Sequence, residues 1–255
     1  MKKPIKTVRN PPLPVILALF VLAAPVFAGG GRDGNGDRAS HAPVKLTLAA
    51  AASLENAFSG ELIPRFREKY PWISIEGVYD SSGKLQIQIE QGLEADVFMS
   101  AAVRQMDALV EKGFIAKNTV RPLLQNKLVL IKPAGFPTQV TGFRNITRAA
   151  IIAAGDPAVV PAGQYAQEAF VSLGIWDEVK TKLSIGGNVT EVLNWVAEGS
   201  AEAGVVYATD AASSKKIEII EELPDGLLST KVVYPIGMAA SSAHPEEAAL
   251  LIEFL

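Results

Sequence analysis

The feature that most constrains the fold is a regular alternation of two sequence patterns from Val44 onward. Short runs rich in β-branched residues or alanine, which are typical of buried strands, alternate with segments whose apolar residues recur at helical spacing. When a helix follows each strand, it returns the chain to the start of the sheet, so neighbouring strands pair in parallel. The alternation therefore predicts an α/β protein with mostly parallel sheets flanked by helices.

The first series of units lies before residue 126. We expect strands at three places, each followed by a helix: 45–51, 73–79 and 95–101. One apolar stripe marks the first helix, formed by Leu54, Phe58, Leu62, Phe66 and Tyr70. Pro64 should bend this helix, and Gly92 and Gly113 should end the two that follow.

A second series of units opens with a predicted strand at 127–133. Further strands are expected at 149–155, 203–208, 216–223 and 231–238. Predicted helices occupy 163–173, 175–183, 189–198 and 245–255. The whole chain therefore holds two successive α/β series rather than a string of short repeats.

The N-terminus has the features of a secretory signal peptide. Four basic residues precede an apolar run at 13–28, which ends in small residues suited to cleavage. A membrane anchor is the alternative, but a span needs about 20 apolar residues, and Pro14 and Pro25 bracket a shorter run. We expect residues 1–28 to be removed, the glycine-rich segment 29–43 to form a flexible leader, and the mature protein to be periplasmic.

The scarcity of reactive side chains excludes several classes of protein. The chain has no cysteine and only two histidines, His41 and His244, which removes disulfides, iron–sulfur clusters, structural zinc and thiol nucleophiles. The formal net charge is −3. Loss of residues 1–28 would remove four basic and no acidic residues, leaving 20 basic against 27 acidic residues and a charge of −7. We therefore expect no nucleic-acid partner.

Small hydroxyl-bearing, amide or glycine residues, rather than acids or bases, occupy the predicted junctions between strand and helix. Ser53, the Ser-Ser-Gly triplet 81–83 and Asn188 each stand at a helix start, and the loop 155–163 leads into another helix. Taken singly, the serines and Asn188 are explained by helix capping. Together, helix N-termini at one end of a sheet also form a site for anions. Tyr207, at the end of a strand, is either a core residue or a hydroxyl facing that site.

The order of these motifs resembles that of the periplasmic molybdate-binding proteins of ABC transporters. The matching segments are AAASL at 50–54, ADVFMSA at 95–101, GDPAVVPAGQYAQEA at 155–169 and GVVYATDA at 204–211, together with the Ser-Ser pair. The resemblance covers about residues 44–240, and the block at 155–169 is specific to the family.

The resemblance implies a two-lobed periplasmic binding protein fold with the ligand cleft between the lobes. Lobe 1 would be residues 44–125, completed by 230–255, and lobe 2 would be residues 126–229. A hinge would let the two lobes close on the ligand. The protein would deliver molybdate or tungstate to the membrane permease and its ATPase, acting as a monomer and performing no reaction.

The resemblance also implies which residues contact the oxyanion. These are the hydroxyls of Ser53, Ser82 and Tyr207 and the backbone amides of Ala162 and Val189. No residue would ligate a metal cation directly, since molybdenum would be held as molybdate by the same groups. No cofactor is implied.

Three residues near the predicted site depart from the family pattern, and two other functions stay open. Asp80 and Lys84 flank the serine pair, and Glu55 is compatible with an anion only if it points to solvent. One alternative ligand is another oxyanion such as sulfate. The other alternative is a serine acyl-transfer hydrolase, because Ser81 and Lys84 spell S-x-x-K, although the accompanying S-D-N and K-T-G motifs are missing.

Overall fold

A computed structural model describes residues 41–255 of the chain. The predicted signal peptide, 1–28, and the predicted leader up to residue 40 lie outside the described residues. Within residues 41–255 no helix is both long and apolar enough to cross a membrane.

Ten strands are described, and most follow the predicted runs. In chain order they are β1 (Val44–Ala51), β2 (Ile73–Asp80), β3 (Val97–Met99), β4 (Arg121–Gln125), β5 (Leu128–Pro133), β6 (Ile152–Gly155), β7 (Leu183–Gly186), β8 (Ala203–Tyr207), β9 (Ile217–Glu222) and β10 (Val233–Met238). β3, β6 and β8 are buried along their whole length, which is why they read as continuous apolar runs rather than alternating ones.

The α-helices lie between these strands. They are α1 (Glu55–Ala57), α2 (Ile63–Lys69), α3 (Ser82–Glu90), α4 (Val103–Glu111), α5 (Pro161–Ser172), α6 (Trp176–Val179), α7 (Val189–Ala197), α8 (Ala208–Ala212) and α9 (Pro245–Phe254). Short 3-10 turns lie at Ala52–Leu54, Lys117–Thr119, Phe143–Arg148 and Lys180–Lys182. Gly92 and Gly113 adopt positive φ just beyond α3 and α4, in the left-handed conformation that ends a helix.

The strands form two five-stranded sheets with the same plan. The first has the order β2-β1-β3-β10-β4 and the second the order β7-β6-β8-β5-β9. In each sheet the first three strands are parallel and the last two run antiparallel to their neighbours. Each sheet is therefore mixed. The parallel pairing that the alternation predicted holds for the first three strands of each sheet and not for the last two.

Two strands were not foreseen in the sequence, and both are sheet edges. β4 pairs only with β10, contains Pro122 and is mostly exposed, so it shows neither an apolar run nor a clean alternation. β7 has four residues and pairs only with β6. The helix predicted at 175–183 ends before it, as α6 and the 3-10 turn Lys180–Lys182.

The first predicted helix is divided into several segments around Pro64. A π-helical turn, Phe58–Leu62, joins α1 to α2, and the Ile63 N–H donates to the Phe58 carbonyl five residues back. Pro64 has no N–H and its ring crowds the carbonyl of Gly60, four residues back, so a regular α-turn cannot continue there. The stripe predicted for this helix still packs inward, with Phe58 and Phe66 about 1% exposed.

Both sheets contribute to one large apolar core, and a second, smaller core lies under α3 and α4. The smaller cluster packs Leu85, Ile89, Met106 and Leu109 against Phe98 of β3. The large cluster runs through both sheets and includes Tyr207 of β8 and Tyr234 of β10, whose rings meet edge to face 5.5 Å apart. The two sheets are therefore in direct contact beside the carboxyl ends of their parallel strands.

Candidate functional site

A small cavity lies where the carboxyl ends of the parallel strands of the two sheets face each other. From the first sheet it is lined by Ala51, Ala52, Ser53, Ser81, Ser82 and Ala101, which follow β1, β2 and β3. From the second sheet it is lined by Val160, Pro161, Ala162, Val189 and Tyr207. Its volume is about 10 Å³, room for about one water molecule. The carboxyl end of such strands is where open α/β sheets bind ligands.

The structure brings all five predicted contact residues to this cavity. Ser82, Ala162, Val189 and Tyr207 are buried, and Ser53 is half-buried. These residues lie up to 154 positions apart in the chain, and each belongs to a different strand-to-helix junction or strand end. Their convergence follows from the sheet topology.

The hydroxyl of Ser82 is set up as a donor. Ser82 is the first residue of α3, and its Oγ accepts the backbone N–H of Ala101 at 2.9 Å. Because a serine hydroxyl has a single proton, and this contact uses only its oxygen, the proton is free to point into the cavity. The preceding residue, Ser81, serves as the N-cap, since its Oγ accepts the Lys84 N–H at 3.4 Å.

Ser53 does not serve as a helix cap. It lies inside the 3-10 turn Ala52–Leu54, and no side-chain capping bond is found at either end of that turn. Its Oγ instead lies 3.0 Å from the hydroxyl of Tyr234. The capping explanation of Ser53 is therefore wrong, whereas Ser81 and Asn188 do cap α3 and α7.

Two helix N-termini of the second sheet lie at the cavity. Ala162 is the second residue of α5 and Val189 the first residue of α7, positions whose N–H groups have no partner within the helix. The N-terminus of α5 approaches β6 closely because Gly163 has no side chain: a Cβ there would lie 2.0 Å from the Gly155 carbonyl oxygen. Both helix dipoles add partial positive charge at this point.

Tyr207 supplies a third hydroxyl. It ends β8, its side chain is buried, and its hydroxyl is buried without a hydrogen-bond partner among the described residues. Burial raises the pKa of this phenol well above its usual value, so it stays a protonated donor at neutral pH. Leaving a buried hydroxyl unpaired costs about 1–3 kcal/mol of stability. A ligand that accepts a hydrogen bond from Tyr207 would remove this cost.

Among residues 41–255 no charged side chain lines the cavity, although three lie near the residues that do. Lys84 is paired with Asp80, Nζ to Oδ1 at 3.3 Å, and Glu55 is exposed to solvent. Because Glu55 is exposed, it is compatible with an anion in the cavity, as the sequence-based expectation required. Because Lys84 Nζ contacts Asp80 and makes no hydrogen bond to Ser81 Oγ, the S-x-x-K pair does not form a nucleophile activated by a base.

The arrangement presents neutral hydrogen-bond donors and no acids or bases. Donors of this kind suit an anion that accepts at several oxygens. Within residues 41–255 no group of three or more histidine, aspartate or glutamate side chains is placed to hold a metal ion.

The two sides of the cavity also contact each other directly. The Gly83 N–H of α3 donates to the Val159 carbonyl across the gap at 2.9 Å, and a Cβ on Gly83 would lie 2.4 Å from that oxygen. Gln105 of α4 donates to Gln164 of α5 at 3.2 Å. The second sheet is therefore held closely against the first at the mouth of the cavity.

Sequence reasoning missed two residues that support the site. Tyr234 lies inside the predicted strand 231–238 and Asn126 directly before the predicted strand 127–133, so neither stood at a junction that pointed to function. In the structure the Asn126 side chain donates to the Tyr234 hydroxyl, which in turn contacts Ser53. A buried tyrosine within an apolar strand was the only available signal.

Comparison with known proteins places the chain in a family. A family model described as bacterial extracellular solute-binding protein matches residues 46–255. The protein YvgL of Bacillus subtilis is 38% identical over 240 residues, 93% of this chain and 92% of its own. The molybdate-binding protein ModA of Haemophilus influenzae is 35% identical over 202 residues, covering 77% of this chain and 79% of its own.

A solved structure supports the same grouping. A substrate-binding domain from Clostridium difficile is 34% identical and superimposes with a TM-score of 0.63, covering 83% of this chain and 91% of its own. The match must include residues of both sheets, because neither sheet with its helices contains 83% of the chain. From its sequence, its two-sheet architecture and these relatives, the chain belongs to the family of bacterial extracellular solute-binding proteins.

Proposed function

We propose that the protein captures molybdate or tungstate for an ABC importer, holding the oxyanion in the cavity between its two sheets. The observation that carries the proposal is the convergence of five predicted contacts, two helix N-termini and three hydroxyls, on one cavity without a charged side chain. The ligand of a relative at 35% identity, a molybdate-binding protein, supports the same choice. The protein would bind the ion and perform no reaction on it, with no cofactor.

Neutral donors are sufficient to hold such a dianion. A hydrogen bond to a charged group contributes about 1.5–3 kcal/mol net. Five such bonds, at the low end, give about 7–8 kcal/mol, which corresponds to a dissociation constant in the micromolar range or better. The mature chain would carry a charge of −7, so long-range attraction would not recruit the anion and recognition would be local.

Binding would require the two halves of the molecule to part and close again. A tetrahedral oxyanion needs more room than the single water that a cavity of about 10 Å³ admits. The chain crosses between the sheets at 125–128 and again at 222–233, and these segments would be the hinge. We place lobe 1 at 44–125 with 230–255 and lobe 2 at 126–229, because the strands of the two sheets divide in this way.

Sulfate is the main rival ligand, because it is a dianion of the same shape. Discrimination would have to come from cavity size, since molybdate and tungstate are larger tetrahedra than sulfate. The same reasoning leaves molybdate and tungstate almost equivalent. A hydrolase using Ser81 and Lys84 is disfavoured, because Ser81 caps α3 and Lys84 pairs with Asp80.

The partners would be a membrane permease and its ATPase, and the protein would act as a periplasmic monomer. These assignments rest on the family and on the signal-like sequence at 1–28. Nucleic acid is not expected as a partner, because the mature chain would be acidic.

Thermal unfolding and calorimetric titration test the proposal. Molybdate and tungstate should each raise the melting temperature of the mature protein, and at a hundredfold excess over the dissociation constant the stabilisation is about 2.7 kcal/mol. Sulfate at the same concentration should give a much smaller shift. Equal shifts with sulfate and molybdate, or no shift with any of them, would contradict the assignment.

A further inference from the structure

A chain of three hydrogen-bonding groups runs from the segment between the sheets to the cavity. Asn126, between β4 and β5, donates through Nδ2 to the hydroxyl of Tyr234 at 3.2 Å. The Tyr234 hydroxyl in turn lies 3.0 Å from Ser53 Oγ, which lines the cavity. Tyr234 itself is fully buried in β10, so water does not compete for its hydroxyl.

The orientation of the Asn126 amide is determined by its other neighbours. Its Oδ1 accepts the backbone N–H of Lys127 at 2.9 Å, and a backbone N–H can only donate. The opposite atom must therefore be the nitrogen, which donates both to Tyr234 and to Thr209 Oγ1 of α8, the latter at 3.0 Å. Asn126 thus acts on Tyr234 as a donor and not as an acceptor.

The direction of the first bond sets the direction of the second. Once the Tyr234 oxygen accepts from Asn126, its single proton needs an acceptor, and Ser53 Oγ lies within hydrogen-bond distance at 3.0 Å. The Tyr207 hydroxyl also lies near Tyr234, but it makes no hydrogen bond of good geometry among the described residues, so the proton goes to Ser53. Burial raises the pKa of the Tyr234 phenol, so the proton is retained at neutral pH. Ser53 then accepts from Tyr234, and its own proton is left for the cavity.

We infer that Tyr234 is a positioning residue for ligand binding: it holds Ser53 as a hydrogen-bond donor toward the bound oxyanion, and Asn126 sets this direction. The inference rests on the proposed function, in that it takes an oxyanion as the ligand of the cavity. Asn126 lies where the chain passes from one sheet to the other and also contacts Thr209 of the second sheet's α8. The orientation of Ser53 is therefore linked to the closed arrangement of the two lobes.

The test is a double-mutant cycle on molybdate affinity, measured by calorimetry at constant pH. Tyr234→Phe removes only the hydroxyl and should weaken binding about tenfold, the value of one charge-assisted hydrogen bond at the low end of its range. Ser53→Ala should weaken binding at least as much. In the double variant the Tyr234 change should cost nothing further, because it acts only through Ser53.

A matched control separates this role from general packing. Tyr79→Phe removes another buried tyrosine hydroxyl, one without a hydrogen-bond partner, from β2 of the same sheet, and should leave the affinity unchanged. Asn126→Ala should weaken binding when Tyr234 is present and have a smaller effect when residue 234 is phenylalanine. A purely structural contribution of Tyr234 would instead lower the affinity by the same factor whether or not Ser53 keeps its hydroxyl.

The outcomes distinguish failure of this inference from failure of the proposed function. If the unmodified protein binds neither molybdate nor tungstate, the proposed function is wrong and the positioning role falls with it. If it binds, and the losses from Tyr234→Phe and Ser53→Ala simply multiply, the positioning role alone is overturned. An unchanged affinity in Tyr234→Phe overturns it as well.

Discussion

At the scale of single residues, the cavity depends on which partner each polar atom already has. The Ser82 oxygen accepts a hydrogen bond from the Ala101 N–H, and the Ser53 oxygen accepts one from the Tyr234 hydroxyl. Both serine hydroxyls therefore keep their own proton to donate to a ligand. Tyr207 keeps its proton because burial raises its pKa. A serine or tyrosine can donate or accept, and here the surrounding contacts favour donation, which suits an anion.

One buried acid lies near this group of donors. Asp210 of α8 accepts the Tyr207 N–H through Oδ2 at 3.1 Å, and burial raises its pKa to about 7. In the folded state it therefore holds its proton over a pH range in which it is ionised in the unfolded chain. Between about pH 4 and pH 7 the folded state binds more protons, so the free energy of unfolding falls as the pH rises.

We therefore predict that Asp210→Asn makes the protein less sensitive to pH. The slope contributed by Asp210 is at most about 1.4 kcal/mol per pH unit, and asparagine, which stays neutral and still accepts the Tyr207 N–H, removes it. Urea unfolding at pH 5, 6, 7 and 8 measures the effect. From pH 5 to pH 7 the free energy of unfolding of the unmodified protein should fall relative to that of the variant, and above pH 7 the difference should become constant. A difference independent of pH would show that Asp210 is ionised when folded.

At the scale of elements, the site is made by the junctions between parallel strands and the helices that follow them. α5 and α7 bring their free amides to the cavity, and α3 contributes Ser82. The approach of α5 to β6 depends on Gly163, because the space that a side chain would take is filled by the Gly155 carbonyl. The strand end and the helix start thus act as one rigid unit.

Gly163→Ala should destabilise the protein and displace the Ala162 amide. The added Cβ meets backbone that cannot move aside, and overpacking of this kind costs about 1–3 kcal/mol or more. Gly60→Ala is the matched control, because that helical glycine has no atom within 4 Å of the new Cβ, and it should be neutral or stabilise by up to about 1 kcal/mol. Chemical denaturation measures both changes. Equal effects of the two substitutions would contradict the close approach of α5 to β6.

At the scale of the whole molecule, the two sheets must meet for the site to be complete. Ser53 and Ser82 come from the first sheet, and Ala162, Val189 and Tyr207 from the second. Gly83 and Val159 form a backbone hydrogen bond across the gap. A ligand touching both sides would favour a closed arrangement whose cavity is wide enough to hold it, by as much as it binds that arrangement better than the open one.

We predict that Gly83→Ala impairs closure without unfolding either lobe. Its Cβ would lie 2.4 Å from the Val159 carbonyl oxygen, whereas alanine is well tolerated in the first turn of α3 once the lobes part. Affinity for molybdate should fall by at least tenfold, with little change in the ligand-free melting temperature. Titration calorimetry measures the affinity, thermal unfolding measures the melting temperature, and small-angle scattering measures the compaction on adding molybdate, which should be reduced in this variant.

Gly187→Ala is the matched control for that experiment. It also lies at the contact between the sheets, but its Cβ would meet side-chain ends and no backbone: the flexible end of Lys84, 2.6 Å away, which can move aside, and the Glu191 carboxylate at an ordinary 3.4 Å. Its affinity and its compaction on adding molybdate should resemble those of the unmodified protein. Loss of affinity in both variants, or in neither, would contradict a closed state built on the Gly83–Val159 contact.

The sequence by itself determined the local structure and the character of the site. The periodicities placed nearly all the buried strands and the long helices, because burial on both faces or on one stripe leaves a direct trace in the sequence. The edge strands β4 and β7 left no such trace, because exposed, singly paired strands need neither an apolar run nor alternation. The resemblance supplied the five candidate contacts, because local pattern alone favoured caps, a stiff loop or a core residue for each of them taken singly.

Only the tertiary structure decided that the five candidates meet, and which hydroxyls are left to donate. Ser53 and Tyr207 are 154 residues apart, and their meeting depends on how two sheets pack together, which no local pattern encodes. The link from Asn126 through Tyr234 to Ser53 joins residues 73 to 181 positions apart. Side-chain hydrogen bonds of this kind depend on distances of a few tenths of an ångström, and those distances are set by the packed core rather than by propensity.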